Sequence, residues 1–359
     1  MSAPVHEPPL HPGITSERSV RPGDRNFRFL TTGAGITVLV VLAAIAAFLV
    51  WKSIPALQNN TGSLLTNQQW LPDADPPSWG ISVLIFGTLW TSILAMVIAV
   101  PIGIGTALFI AFYAPRRLSK GLGFIVDLLA AVPSIIFGLW GLYNFMPYLV
   151  PFAEWLSTYL GWIPIFTNNV DLYTKSILIA GVVLALMILP TVSAISREVF
   201  LQVPRSHIEA SLALGATRWE MIRMSVFPFS RPGMISAAML GLGRALGETI
   251  AVALILSAVF EINWKLTEPG GNSIAANIAL KWGEAGDNGR SALIATGLVL
   301  FFITLVVNMT ARWVVNRRKD FSGANFLAVI EQRYDALKAP ACGAFRERGA
   351  CHVRTGRAG

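Results

Sequence analysis

Six stretches of this sequence are almost free of charge and long enough to cross a lipid bilayer. A spanning helix needs about 20 apolar residues, because the hydrocarbon core is about 30 Å thick and an α-helix rises about 1.5 Å per residue. Phe29–Trp51 and Ile81–Ala114 run for 23 and 34 residues without a charge. Ser176–Ser196 and Ser291–Ala311 also carry none, Leu122–Val150 carries only Asp127, and Pro232–Phe260 carries only Arg244 and Glu248. Lipid offers backbone groups no water, so such stretches must satisfy their hydrogen bonds as helices. The expected fold is therefore all-α and integral to the membrane, with six transmembrane helices. An even count puts both ends of the chain on one side. The surplus length of Ile81–Ala114 allows an extra surface turn or a kink at Pro101. Phe29–Trp51 is too long for a cleaved signal peptide, and no small-residue cleavage site follows it before Trp51-Lys52. With 54% hydrophobic and 13% charged residues, the chain falls well short of the roughly 25% charge of soluble domains.

The cations then set the orientation. Of the 28 Lys and Arg residues, 22 fall in the arm before the first span, the second-to-third and fourth-to-fifth connections, and the tail from Arg312. The opposite side holds five: Lys52, Lys175, Lys265, Lys281 and Arg290. Basic residues mark the cytoplasmic side, so both termini of this multi-pass protein are expected in the cytoplasm. The net charge of +8 is thus a topology signal. Its scatter over separate segments, without interleaved aromatics on one face, speaks against nucleic acid as a partner. Residues 1–28 are expected to form a Pro-rich, largely disordered arm, 29–318 the six-helix domain with its elbow at 197–231, and 319–359 a cytoplasmic tail.

The three external connections, Lys52–Gly80, Pro151–Lys175 and Glu261–Arg290, are long and rich in Trp, Pro and Asn. Trp155, Tyr159 and Trp162 suit an aromatic anchor at the membrane interface. Both cysteines, Cys342 and Cys351, lie in the last eighteen residues, so no disulfide framework is expected. His6, His11, His207 and His352 all lie outside the apolar stretches, and no metal site is expected. No Gly-Lys dinucleotide occurs, so the chain has no P-loop for ATP, and no Gly-x-Ser-x-Gly nucleophile motif is present. His6-Glu7 with His11 has the wrong spacing for a zinc helix, and Pro8 and Pro9 oppose one. No catalytic residues are expected.

The longest internal cytoplasmic connection, 197–231, reads as short helices around a turn. Pro204 suits a helix start, Gly215 a left-handed turn or C-cap. Thr217 and Glu220 are spaced for a capping box. The elbow mixes Glu209, Arg218 and Glu220 with Ala210, Leu212, Ala213, Trp219 and Met221. Such a face either packs on its own bundle or docks a partner that keeps the apolar side chains dry.

Two charges lie deep in the fifth span. Arg244 is about twelve residues into it, roughly 18 Å down. A central Arg costs at least about 2.5–3.5 kcal/mol to insert, so it is a functional candidate with a partner. Glu248 lies four residues on and about 40° around a continuous helix, so the two are expected to share a face. Either they form a structural ion pair or they line a path. Gly243 and Gly247 beside them let another backbone come close or leave room for a ligand. Asp127 lies about six residues into its span, where helix packing or a neighbouring Arg are both open.

Glu209-Ala210-Ser211, with Gly215 six residues after Glu209 and Pro228 thirteen after Gly215, resembles the EAA loop of ABC importer permeases. Ser211 and Phe227 depart mildly from the usual Ala and Leu. Asp127 through Ser134 with Phe137-Gly138-Leu139-Trp140-Gly141, and Gly243-Arg244-Ala245-Leu246-Gly247-Glu248-Thr249, resemble the third- and fifth-helix motifs of phosphate permeases, of the PstC type rather than the PstA type. The likeness covers roughly 25–318 and implies the type I (MetI-like) architecture in the bacterial plasma (inner) membrane. It implies a substrate path at Arg244, Glu248, Thr249 and Asp127, with Gly243, Gly247, Pro133 and Ser134 packing the pore. It implies ATPase coupling through Glu209, Ala210, Gly215 and Pro228. The implied partners are a PstA-type second permease, a PstB-type ATPase dimer that binds ATP and Mg, an external PstS-type phosphate-binding protein, and inorganic phosphate. The chain itself is expected to need no cofactor. A guanidinium suits an oxyanion because its planar fork donates paired hydrogen bonds. With Glu248 alongside, the expected site is close to neutral. A permease for molybdate or sulfate is the alternative within this architecture. An ion-coupled secondary carrier is the alternative outside it, but no internal repeat of the kind such carriers show is visible.

Overall fold

The computed structural model describes residues 22–313, and the expectations for the rest of the arm, the tail and its two cysteines lie outside them. The chain divides after Lys52 into two compact units. The described part of the first is helix α1, Pro22–Asn59, which continues into the second unit and is longer than the expected Phe29–Trp51. Its charge-free stretch Phe29–Trp51 is apolar all round, which suits a lipid environment.

The second unit is built on α2 (Ser82–Leu108) and α6 (Ile177–Leu201). These match the second and fourth expected spans, and α2 runs unbroken through Pro101 before a π-turn at Phe109–Tyr113. Small residues bring the two helices together. Ala95 and Ala99 of α2 and Ala185 of α6 are fully or almost fully buried, in one cluster with Leu184, Met187, Ile188 and Val192. A Cβ on Gly103 would stand 3.1 Å from Val192, and one on Gly181 2.5 Å from Leu94. Without a hydrophobic driving force in lipid, close backbone approach supplies the packing that holds helices together.

Two expected spans are broken, and both breaks have local causes. The stretch Leu122–Val150 is not one helix. Helix α3 (Arg116–Ala130) ends before Ala131-Val132-Pro133, and α4 (Ser134–Trp140) then continues through a π-turn into α5 (Met146–Leu160). Pro133 has no N–H to give and disfavours a helical conformation at Val132. The helix of spanning length is thus Ser134–Leu160. Trp155 and Tyr159 extend that helix instead of forming an external loop.

The stretch Pro232–Phe260 also divides. Helix α9 (Phe227–Leu246) ends at Gly247, α10 covers only Ile250–Ile255, and Leu256 is extended. The Glu248 carboxylate accepts the Ala251 N–H at 3.2 Å, so a side chain takes the place of the helical carbonyl. The last span is α12, Asp287–Trp313, preceded by α11 (Ile274–Lys281). Among the described residues five helices are long and apolar enough to cross a membrane. The broken α9–α10 pair stands where the fifth expected span would be.

Outside these spans, the loops are tied down. A two-stranded hairpin, β1 (Trp70–Leu71) and β2 (Ser78–Trp79), buries Trp79 against Ala56, Ile81, Ala292 and Ala295. Asp73 accepts the N–H groups of Gly286 and Gly289 at 2.9 and 2.7 Å, at the start of α12. Glu268 gathers the Lys265 ammonium at 2.6 Å, the Asn169 N–H at 2.9 Å and the Asn263 amide. Burial pushes this carboxyl up, but Lys265, Asn169 and Asn263 together outweigh it and hold Glu268 below its ordinary value.

Candidate functional site

Arg244 lies in the last turn of α9, and the break in α3 supplies part of its setting. A continuing helix would cap the Ala130 carbonyl with the N–H of Ser134, but α3 stops at Ala130 and leaves that oxygen free. The Arg244 guanidinium donates through Nη1 to Thr191 Oγ1 at 3.1 Å and makes a long 3.5 Å contact to the Ala130 oxygen. Thr191 follows Pro190 inside α6. Arg244 therefore spans three elements, and the carbonyl ends of α3 and α9 both favour a cation there.

The guanidinium opens on a cavity of about 870 Å³. Its polar lining is Thr191 from α6, Ser236 and Arg244 from α9, and Asn308 and Arg312 from α12. Gly243 forms part of the wall, and a Cβ there would meet nothing within 4 Å. Among the described residues no carboxylate lines this cavity.

The expected pairing of Arg244 with Glu248 is absent. The ion pairs among the described residues are Arg197 with Asp127 and Glu198, Lys265 with Glu268, and Lys281 with Glu284. The reason is the helix break: residues 247–249 leave the helical path, so the i,i+4 geometry on which a shared face depends does not exist. Glu248 is only 8% exposed and caps the following turn. Thr249 donates to the Gly247 carbonyl at 3.1 Å. Neither residue lines the cavity.

Asp127 is bound elsewhere. It lies on α3, where Arg197 Nη2 of α6 reaches its Oδ2 at 3.2 Å and Glu198 Oε1 at 2.8 Å. Gly123 makes the room: a Cβ there would stand 1.9 Å from Arg197 Nη1. Pro133 opens the gap between α3 and α4, and Ser134 begins α4, which packs through Gly138 on Ala251 of α10.

The elbow forms as its residues dictate. Helix α7 (Arg205–Ala213) follows Pro204 and ends in a Schellman motif. Gly215 is left-handed at φ +82°, its N–H reaches the Leu212 carbonyl at 3.0 Å, and the Ala216 N–H reaches that of Ser211 at 3.2 Å. Thr217 and Glu220 complete the capping box of α8 (Arg218–Met221), which runs through a π-turn into α9 across Pro228. The Thr217 N–H and then its hydroxyl hold the Glu220 carboxyl below its ordinary value. One face is packed: Phe200, Val203, Met221, Ile222 and Val226 bury against Ala107 and Leu108 of α2. Met221, expected on the mixed face, is therefore core. The other face is open, with Leu214 89% and Trp219 56% exposed beside exposed Glu209 and Ala210.

Sequence reasoning missed Thr191, Asn308, Arg312 and Arg197 as partners in these sites. Arg197 and Arg312 counted only as topology charges. A hydroxyl just after a helix proline and an Asn four residues before an Arg in an apolar helix were the available signals.

Apolar helices around a cation-lined cavity, with a folded helix outside the bundle, define a membrane transport subunit. Residues 99–320 match the family described as the inner membrane component of binding-protein-dependent transport systems. The chain is 45% identical over 315 residues to "Phosphate transport system permease protein PstC 2" of Mycobacterium bovis, covering 86% of this chain and 97% of that one. It is 47% identical over 278 residues to PstC of Mycobacterium leprae (76% and 87% covered) and 39% over 312 residues to PstC of Xylella fastidiosa (85% and 94%). The chain belongs to the family of PstC phosphate transport permeases within the binding-protein-dependent inner membrane components.

Proposed function

We propose that this chain is a pore-forming permease subunit of an ATP-driven importer of inorganic phosphate. It pairs with a second permease of the PstA type and receives phosphate from an external binding protein. A separate ATPase dimer, which binds ATP and Mg, drives it. Both termini face the cytoplasm, as the distribution of Lys and Arg implies. The observation that carries the reading is the Arg244 guanidinium, fixed by Thr191 and facing a large cavity in which no carboxylate among the described residues neutralises it.

The elbow around Glu209, Ala210, Gly215 and Pro228 is the coupling element. Its exposed Leu214 and Trp219 dock on the ATPase, and its buried face transmits displacement to α2, α6 and α9. ATPase closure would open the pore outward to take phosphate, and hydrolysis would return it inward. Arg244 holds the anion between these states, and the gap at Ala131–Pro133 and the break at Gly247–Thr249 are where the path-lining helices can bend.

The test is phosphate uptake by the assembled complex in proteoliposomes. Arg244→Gln should abolish uptake. Arg244→Lys should lower it about ten- to a hundredfold, since a lysine keeps charge but loses the planar fork and charged hydrogen bonds are worth about 1.5–3 kcal/mol. Wild-type uptake by an assembled Arg244→Gln complex would overturn the reading.

A further inference from the structure

The cavity that Arg244 faces is lined by a second guanidinium. Arg312 and Asn308 sit four residues apart on α12, hence on one face of that helix, and both line the same 870 Å³ space as Arg244. Arg312 is exposed and makes no ion pair among the described residues. We propose that Arg312 with Asn308 forms a second oxyanion station in the transport path, separate from Arg244 and contributed by the last membrane helix.

Three observations support this. The first is charge: with Glu248 turned away to cap α10, the lining holds two cations and no carboxylate among the described residues, so the space attracts a dianion instead of being neutral. The second is donor chemistry. A tetrahedral oxyanion has many acceptor sites, and Ser236, Thr191 and Asn308 add hydroxyl and amide donors to the lining that holds the two guanidiniums. The third is the contrast in anchoring. Arg244 is held by Thr191 and the end of α3, whereas Arg312 has no hydrogen bond among the described residues. Conduction needs binding strong enough to admit the ion and divided over sites so that it can leave. A fixed station and a free one meet that need, with the free arginine handing the anion on.

The inference rests on the phosphate-path reading of Arg244, and the experiment separates the two. Arg312→Gln, Arg312→Lys and Asn308→Asp are placed in the full complex, and uptake of inorganic phosphate is measured in vesicles of neutral lipid and in vesicles with added anionic lipid. Co-purification with the partner permease and the ATPase is checked for each. Arg312→Gln should lower maximal uptake about tenfold with assembly intact, as expected for loss of a charged donor. Arg312→Lys should keep most activity, because a relay station needs charge more than a fork. Asn308→Asp, which adds a negative charge at nearly constant shape, should lower uptake in both lipids. Wild-type uptake by an assembled Arg312→Gln complex would overturn the second station, while a loss in Arg244→Gln would leave the first reading standing. An Arg312→Gln defect seen only with anionic lipid would assign the guanidinium to a lipid phosphate and also overturn the proposal. Failure of Arg312→Gln to assemble, with Arg312→Lys and Asn308→Asp both fully active, would assign Arg312 to a subunit interface and overturn it equally.

Discussion

Gly215 offers the sharpest test of the elbow, because only its backbone conformation is at stake. Its φ of +82° is one that L side chains rarely adopt, and a Cβ there would meet nothing within 4 Å. Steric crowding with neighbours therefore contributes nothing to the cost of substitution. What remains is the left-handed penalty, about 1–2 kcal/mol for a residue such as Ala and more for a β-branched one. That amounts to about a five- to thirtyfold shift toward opening of the two hydrogen bonds that close α7. Asn tolerates the left-handed region, so the expected order of elbow stability is Gly, then Asn, then Ala, then Val. Hydrogen exchange at the Gly215 and Ala216 amides, which donate to Leu212 and Ser211, reads this directly. Co-purification of the ATPase should fall in the same order while insertion into the membrane is unchanged. Equal exchange rates in Gly215→Asn and Gly215→Val would refute the conformational argument. A frayed elbow that still retains the ATPase would refute the docking role.

Three further outcomes can be checked. Gly123→Ala should push the Arg197 guanidinium, the far end of a long side chain, off Asp127, so it should lower thermal stability in detergent no more than Asp127→Asn, which removes a half-exposed carboxylate worth under about 1 kcal/mol; a much larger loss in Gly123→Ala would show that the glycine notch, and not the ion pair, joins α3 to α6. Glu268 titrates below its ordinary value, so the stability it gives the external loops is present above about pH 4.3 and is lost as pH falls through the depressed folded value. Limited proteolysis of the Asn168–Lys175 loop should therefore accelerate in acid in the wild type but not in Glu268→Gln, and equal acid sensitivity of the two would refute the linkage. A cytoplasmic reporter fused after Arg318 should be active and one within Asn59–Asp75 inactive; the opposite pattern would overturn the orientation.

The long apolar runs were legible in the sequence because a spanning helix is fixed by length and lack of charge alone. Phe29–Trp51 and Ser291–Ala311 fall within observed helices, and Ile81–Ala114 and Ser176–Ser196 overrun theirs by no more than one residue at an end. The elbow was legible for a different reason: a Schellman glycine and a capping box are local devices, complete within six residues and indifferent to tertiary context. Hydropathy failed where polarity and backbone geometry part company. Leu122–Val150 and Pro232–Phe260 are apolar enough to span, yet each is interrupted by a side chain or ring that deprives the ladder of a partner, Pro133 in one and Glu248 in the other.

Those two interruptions change the chemistry of the site, because they act together. A continuous fifth helix would have stacked Glu248 beneath Arg244 and produced a neutral pair, while a continuous third helix would have consumed the Ala130 carbonyl internally. The break at Gly247 turns the carboxylate to the next turn of backbone, and the gap before Pro133 frees an oxygen for the guanidinium. Among the described residues Arg244 thus meets neutral dipoles, Thr191 and Ala130, which orient it without cancelling its charge. A charge oriented by dipoles stays available to an incoming anion, whereas a charge held by a carboxylate must first exchange one anion for another. The stretch of sequence that defeats helix prediction is, on this argument, what gives the cavity its sign. Restoring a continuous helix there should therefore cost uptake even with Arg244 in place.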